Sequence, residues 1–192
     1  DALTTGNYNL ALGTGSMSGG AVTGCYNMAF GWEAGHCLLG GMKNIFIGKD
    51  AGKELTTGGC NVFVGEGIGQ NNTITGFKNF IGGYRSGLSL SSGNCNVMIG
   101  AQAGSSNTSS WNNIFIGTCA GKGASGVDGH CNIAFGLQSL VALTSGCDNI
   151  SIGTCAGINN SSGCDNIFIG KYAGCWIQDT NGAVMIGFCA GK

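Results

Sequence analysis

The stretch Gly41-Met42-Lys43-Asn44-Ile45-Phe46-Ile47-Gly48-Lys49-Asp50-Ala51-Gly52 returns later as Gly163-Cys164-Asp165-Asn166-Ile167-Phe168-Ile169-Gly170-Lys171-Tyr172-Ala173-Gly174. The same phrase, an Asn, an apolar triplet, a glycine and then a small-residue pair, occurs eleven times. The glycines that close the triplet are Gly13, Gly31, Gly48, Gly65, Gly83, Gly100, Gly117, Gly136, Gly153, Gly170 and Gly187, spaced 17 to 19 residues apart. A period this regular along a whole chain signals stacked identical units. The expected architecture is all-β: a β-solenoid or β-roll of about eleven rungs of 17–19 residues, forming one repeat array over residues 1–192. Positions below are counted from the closing glycine, taken as 0.

Composition agrees with a packed, turn-rich chain. It has 39 glycines, no proline and 43% hydrophobic residues. Collagen is excluded, because glycine does not fall at every third residue and proline is absent. Disorder is excluded, because the apolar residues recur in fixed slots. The net charge of −1 offers no basic footprint for nucleic acid. No run of about 18 apolar residues predicts membrane insertion. Asp1 reads as the start of a processed chain or of a segment cut from a longer one. The full module before Lys192 reads as continuing, either in a longer chain or head to tail in a filament.

Within the triplet, position −3 is apolar in every copy and position −1 in all but Gly82. Residues two apart on a strand share a face, so this pair is expected to point into the core. The middle position would then point outward. Its apolar residues, among them Phe46, Phe63, Ile81, Met98, Phe115, Phe168 and Met185, would form a stripe on the rod surface. A soluble monomer rarely exposes such a patch. Self-association is therefore expected, laterally as a homotrimer or head to tail.

Position −4 is Asn9, Asn27, Asn44, Asn61, Asn79, Asn96, Asn113, Asn132, Asn149 and Asn166, with Ala183 in the last copy. A corner asparagine bonds to local backbone, and in stacked rungs it can form an amide ladder. Glycine at −7, Ala or Ser at +3 and glycine at +4 mark tight corners. The segments between modules, such as Lys53 to Thr57, Ser105 to Trp111 and Ile158 to Ser162, read as exposed arcs.

The eleven cysteines keep to the repeat. Cys25, Cys147 and Cys164 lie at −6; Cys60, Cys95 and Cys131 at −5; and Cys119, Cys155 and Cys189 at +2. Cys119, Cys147, Cys155, Cys164 and Cys189 are candidates either for buried thiols or for disulfides within or between chains. No Cys pair has zinc-ligand spacing, and a metal site is not expected.

The motif Asn-Ile-Phe-Ile-Gly-x-x-Ala-Gly, from Asn9 to Gly191 across all copies, resembles glycine-rich repeats of bacteriophage tail fibres and related adhesins. It is also similar to the repeats of YadA-like trimeric autotransporter heads, although those repeats are shorter, about 14 residues. The resemblance implies a trimeric, protease-resistant shaft or head on a virion or cell surface, with no catalytic residue.

Other chemistry finds little footing. Gly13 to Gly19 and Gly65 to Gly69 look like nucleotide loops, but no helix follows them. His36 and His130 have no recurring acid or thiol beside them. Asp148 and Asp165 share a slot in adjacent rungs, too few for a calcium solenoid. Asn71, Asn107, Asn159 and Asn160 head Asn-x-Ser/Thr triplets in the arcs and read as glycosylation acceptors in a suitable secretory route. The leading expectation is a rigid, non-enzymatic fibre or adhesin shaft needing no cofactor, on a virion or in an extracellular or cell-surface setting. The alternative is a binding module for a host-surface glycan or receptor, using the arcs around Trp32, Trp111, Tyr172 and Trp176. An ice-binding solenoid using the Thr and Ser clusters, such as Thr4-Thr5 and Thr56-Thr57, is the minor alternative.

Overall fold

The computed structural model describes residues 5–124 and 126–191; the readings made of Asp1, Thr4 and Lys192 lie outside the described residues. Each apolar triplet is a three-residue strand. In chain order these are β1 (Leu10–Leu12), β2 (Met28–Phe30), β3 (Ile45–Ile47), β4 (Val62–Val64), β5 (Phe80–Gly82), β6 (Val97–Ile99), β7 (Ile114–Ile116), β8 (Ile133–Phe135), β9 (Ile150–Ile152), β10 (Ile167–Ile169) and β11 (Val184–Ile186). They form one parallel sheet in sequence order. Equivalent residues pair throughout, as in Ile45↔Val62, Phe46↔Phe63 and Ile47↔Val64. Eleven strands thus bound ten turns of a β-solenoid, and rung n is the coil that contains strand βn.

The faces of the strands are the reverse of the expectation. The middle residues point inward: Phe46, Phe63, Ile81, Met98, Phe115 and Phe168 are fully buried, and Met185 of the terminal rung is half-buried. The flanking residues at −3 and −1 face outward, with Ile47 42% and Phe135 53% exposed. Alternation fixes only that these two sets are opposed. The side chain at −4 decides which is inside. Asn27 to Asn166 are buried at that position, so −2 lies inside with them and −3 and −1 lie outside.

At positions −2 and +4 together the interior holds at most one large side chain per rung. A Cβ added to the +4 glycine would lie 2.5 Å from the ring of Phe46 at Gly52 and 2.5 Å from that of Phe115 at Gly121. Rungs 1 and 8 invert the arrangement. Their middle residues are Ala11 and Ala134, and their +4 residues are Met17 and Leu140, both buried. A Cβ on Gly35 would touch both Met17 and Phe46, and one on Gly157 both Leu140 and Phe168. The two large side chains therefore share the space left by Ala29 and Ser151. Volume is conserved between rungs rather than within each one.

The arcs also enter the core, contrary to the sequence reading. Leu38, Leu55, Ile74, Leu90, Val127 and Leu143 are fully buried there. So are Asn107 and Asn160, which removes both as exposed glycosylation acceptors.

The backbone bends at the same places in every rung. The closing glycine has φ between 121° and 143°. A Cβ on Gly48 would sit 2.3 Å from the Gly65 carbonyl oxygen of the next rung, so glycine is required on both counts. Positions −5 and +2 have left-handed φ in all eleven rungs, mostly on residues other than glycine. Each such residue costs on the order of 1 kcal/mol. The stacked hydrogen bonds hold these bends.

Candidate interaction face

The outer side of the sheet carries two apolar columns, −3 and −1, running the length of the rod. Both members are aliphatic or aromatic in every rung except the fifth, where Gly82 stands at −1. With rungs about 4.8 Å apart, ten spacings give a strip on the order of 50 Å long. That is a continuous apolar surface of the kind that marks an interaction site. The assignment of this role to Phe46, Phe63, Ile81, Met98, Phe115, Phe168 and Met185 is corrected, because those side chains line the interior.

One continuous polar ladder and one interrupted series of polar contacts join the rungs beside the strip. In the first, the backbone N–H and Nδ2 of Asn44 both donate to Asn27 Oδ1, each at 3.0 Å. Asn44 Nδ2 also donates to the Gly58 carbonyl at 2.9 Å. The pattern repeats from Asn9 to Asn166 and ends where the Ala183 N–H donates to Asn166 Oδ1 at 2.9 Å. Every amide in this dry column has a partner, so the asparagines specify register as well as stability.

The interrupted series is at −6 and was not legible as one in the sequence. Asn94 Oδ1 accepts the Phe77 N–H at 2.7 Å, His130 Nδ1 the Trp111 N–H at 3.2 Å, and Asn181 Oδ1 the Cys164 N–H at 2.7 Å. Cys25 and Cys164 do the same with sulfur, accepting the N–H groups of Asn7 at 3.3 Å and Cys147 at 3.2 Å. Met42, Gly59, Phe77 and Trp111 interrupt this column, so only the rungs that carry Cys, Asn or His there offer an acceptor.

The thiols at −5 and +2 lie at the two edges of the strip. All eleven cysteines are free. At −5, Cys60 and Cys95 are exposed and Cys131 half-buried; at +2, Cys155 is buried while Cys119 and Cys189 are half-buried. Within each column they occur every second rung, about 9.6 Å apart, too far for an intrachain disulfide. Cys119 and Cys155 instead donate to Gln102 and Gln138 Oε1, each at 3.6 Å.

Charge is concentrated beside rungs 2 to 4. Lys53 Nζ lies 2.6 Å from Glu33 Oε2 and 3.8 Å from Asp50 Oδ1. That hydrogen bond holds the Glu33 carboxyl below its ordinary range and raises Lys53 above its own. Cys37 Sγ lies 3.5 Å from His36 Nδ1 and 3.6 Å from Glu54 Oε2. Burial first, then Glu54, push this thiol up, the opposite of what a nucleophile requires. Asp148 and Asp165 belong to no cluster of three or more metal-ligating side chains among the described residues.

The aromatic side chains of the arcs are placed differently from one another. Trp111 stacks on His130 with centroids 4.4 Å apart, and Lys49 lies 4.9 Å over the Trp32 ring. Trp176 lines a cleft of about 310 Å³ with Tyr172, Cys175, Phe188 and Cys189. The hydroxyls of Thr23, Thr56 and Thr144 turn to backbone carbonyls of the next rung instead of forming a solvent-facing array.

No family model, curated protein or solved structure matches this chain.

Proposed function

We propose that the protein is a rigid, non-catalytic structural element, a segment of a fibre or filament on a virion or cell surface, which works by associating with copies of itself along its apolar strip. The observation that carries this reading is the pair of outward columns at −3 and −1, apolar in 21 of 22 positions, with Gly82 the one gap. A surface of this size in water favours covering by about 25 cal/mol per Å² of apolar area removed. In-register backbone bonding and the amide ladder supply stiffness.

Sedimentation of the intact chain tests it. The unmodified protein is expected to associate at micromolar concentration. The triple variant Ile47→Lys, Ile99→Lys, Ile152→Lys is expected to stay monomeric with an unchanged β spectrum. A monodisperse monomer of the unmodified chain would sink the proposal.

The cleft around Trp176 favours a second reading, a binding module for a glycan. Its aromatic walls suit stacking on a sugar face. Quenching of tryptophan emission by a panel of soluble oligosaccharides, lost in Trp176→Ala, would support that reading; no quenching by any of them would count against it.

A further inference from the structure

We propose that the apolar strip is the interface of an antiparallel pair of chains, packed face to face and centred on β6. This rests on the lateral association proposed above and names the partner and its register. A two-fold axis lying along the strand direction through β6 sets each column opposite itself, with rung n facing rung 12 − n of the second copy. The columns at −3 and −1 then pack apolar on apolar along the whole rod.

The column at −5 selects this register. Cys60, Cys95 and Cys131 occupy rungs 4, 6 and 8, an evenly spaced set that matches itself when reversed about rung 6. The same reversal sets Lys43 of rung 3 opposite Asp148 of rung 9, both exposed. In the neighbouring −6 column it sets Phe77 of rung 5 opposite Trp111 of rung 7. Thiol, charge and aromatic matches thus share one centre. A parallel pair about an axis along the rod would exchange the two rims of the strip, −5 and +1, at equal height. Lys43 would then face Lys49 twice while Asp165 faced Lys171 twice, so charge gives that arrangement no advantage, and Cys60, Cys95 and Cys131 would face Glu66, Ala101 and Leu137 instead of one another.

The area is close to that of a standard interface. Between the bends at −5 and the closing glycine the extended segment is about 13 Å wide at about 3.3 Å per residue. Over about 48 Å of height it offers roughly 600 Å² of flat face per copy, to which the rims at −5 and +1 add, against the roughly 800 Å² a side of a standard stable interface.

The register is read by crosslinking the intact chain with a bis-maleimide long enough to bridge the roughly 10 Å between packed sheets. Each thiol adds across a maleimide C=C bond, its sulfur bonding one carbon and its proton passing to the other. Peptide mapping is expected to find Cys95 joined to Cys95 and Cys60 joined to Cys131 between copies. Cys60 joined to Cys60, or no interchain bond at all, overturns the antiparallel register.

A second measurement needs no thiols. Lys43→Asp and Asp148→Lys are each expected to weaken the dimer about three- to tenfold, and the double variant to restore it. Additive weakening in the double variant overturns the proposal. Sedimentation separates its failure from that of the parent reading: a trimer or higher bundle removes the pair alone, whereas a monomer removes both.

Discussion

Two stretches of the interior solve the same problem with opposite success. After β6 the arc residue Asn107 takes the slot that leucine fills in rungs 2, 3, 5 and 8. Its Nδ2 donates to the Gly121 carbonyl at 3.0 Å, and its Oδ1 accepts from Ser110 Oγ at 2.6 Å. After β9 the equivalent Asn160 donates to the Gly163 carbonyl at 3.2 Å, but its Oδ1 is buried without a partner. The difference is the residue at −7, serine in one case and glycine in the other. Ser151 Oγ, also buried without a partner, adds a second unmet group to rung 9. A polar side chain inside this coil is harmless when its partner arrives three residues later in the same arc, and costly when it does not.

The largest effect is expected from making the first stretch resemble the second at its centre. Met98→Ser, at the position in β6 that Ser151 holds in β9, removes a fully buried side chain and should cost about 2–5 kcal/mol, read as a lower urea midpoint. Ser110→Gly strips Asn107 Oδ1 of its donor and should cost about 1–3 kcal/mol; an unchanged midpoint would show that the pairing carries no weight. The reverse change improves the second stretch. Asn160→Leu, which copies Leu55, Leu90 and Leu143, is expected to stabilise by about 1–2 kcal/mol and to slow amide exchange in rungs 9 and 10 more than elsewhere. A loss of stability there would mean that Asn160 makes contacts the leucines do not.

The smallest effect lies outside this comparison, at the solvent-facing Glu33–Lys53 pair. The Glu33 carboxyl is depressed, so its contribution is complete above the ordinary carboxylate range and is lost as pH falls through its folded value. Lys53 is raised, so its contribution is complete below the ordinary lysine range and fades as pH rises past its folded value. Glu33→Gln should flatten both limbs slightly, and the effect should shrink in high salt. A pH profile of the urea midpoint identical in the two proteins would remove the pair from the account.

The period made the solenoid legible, because a 17-residue phrase with a fixed triplet and fixed glycines admits few other folds. The Asn ladder was equally visible at −4. The orientation of the triplet was not, since alternation alone is symmetric about the strand. The deciding signal lay across positions: where −2 shrinks to Ala11 or Ala134, +4 grows to Met17 or Leu140. Such exchange makes sense only if both positions share one enclosed volume. The arc leucines were missed for a related reason, as a single apolar residue among Thr, Ser and Gly has no local period to betray it.

Fixed rungs joined by adjustable arcs also make the rod a ruler. The rise per repeat belongs to the backbone spacing and not to any side chain, so length is counted in modules. Excising one whole period, residues 49–65, joins Gly48 to Glu66 and brings Phe46 onto Ile81, both buried side chains of the same column. Such a deletion shortens the rod by one step of about 4.8 Å while leaving every remaining column continuous. A structure of this kind can change its reach by gain or loss of repeats without redesigning its core.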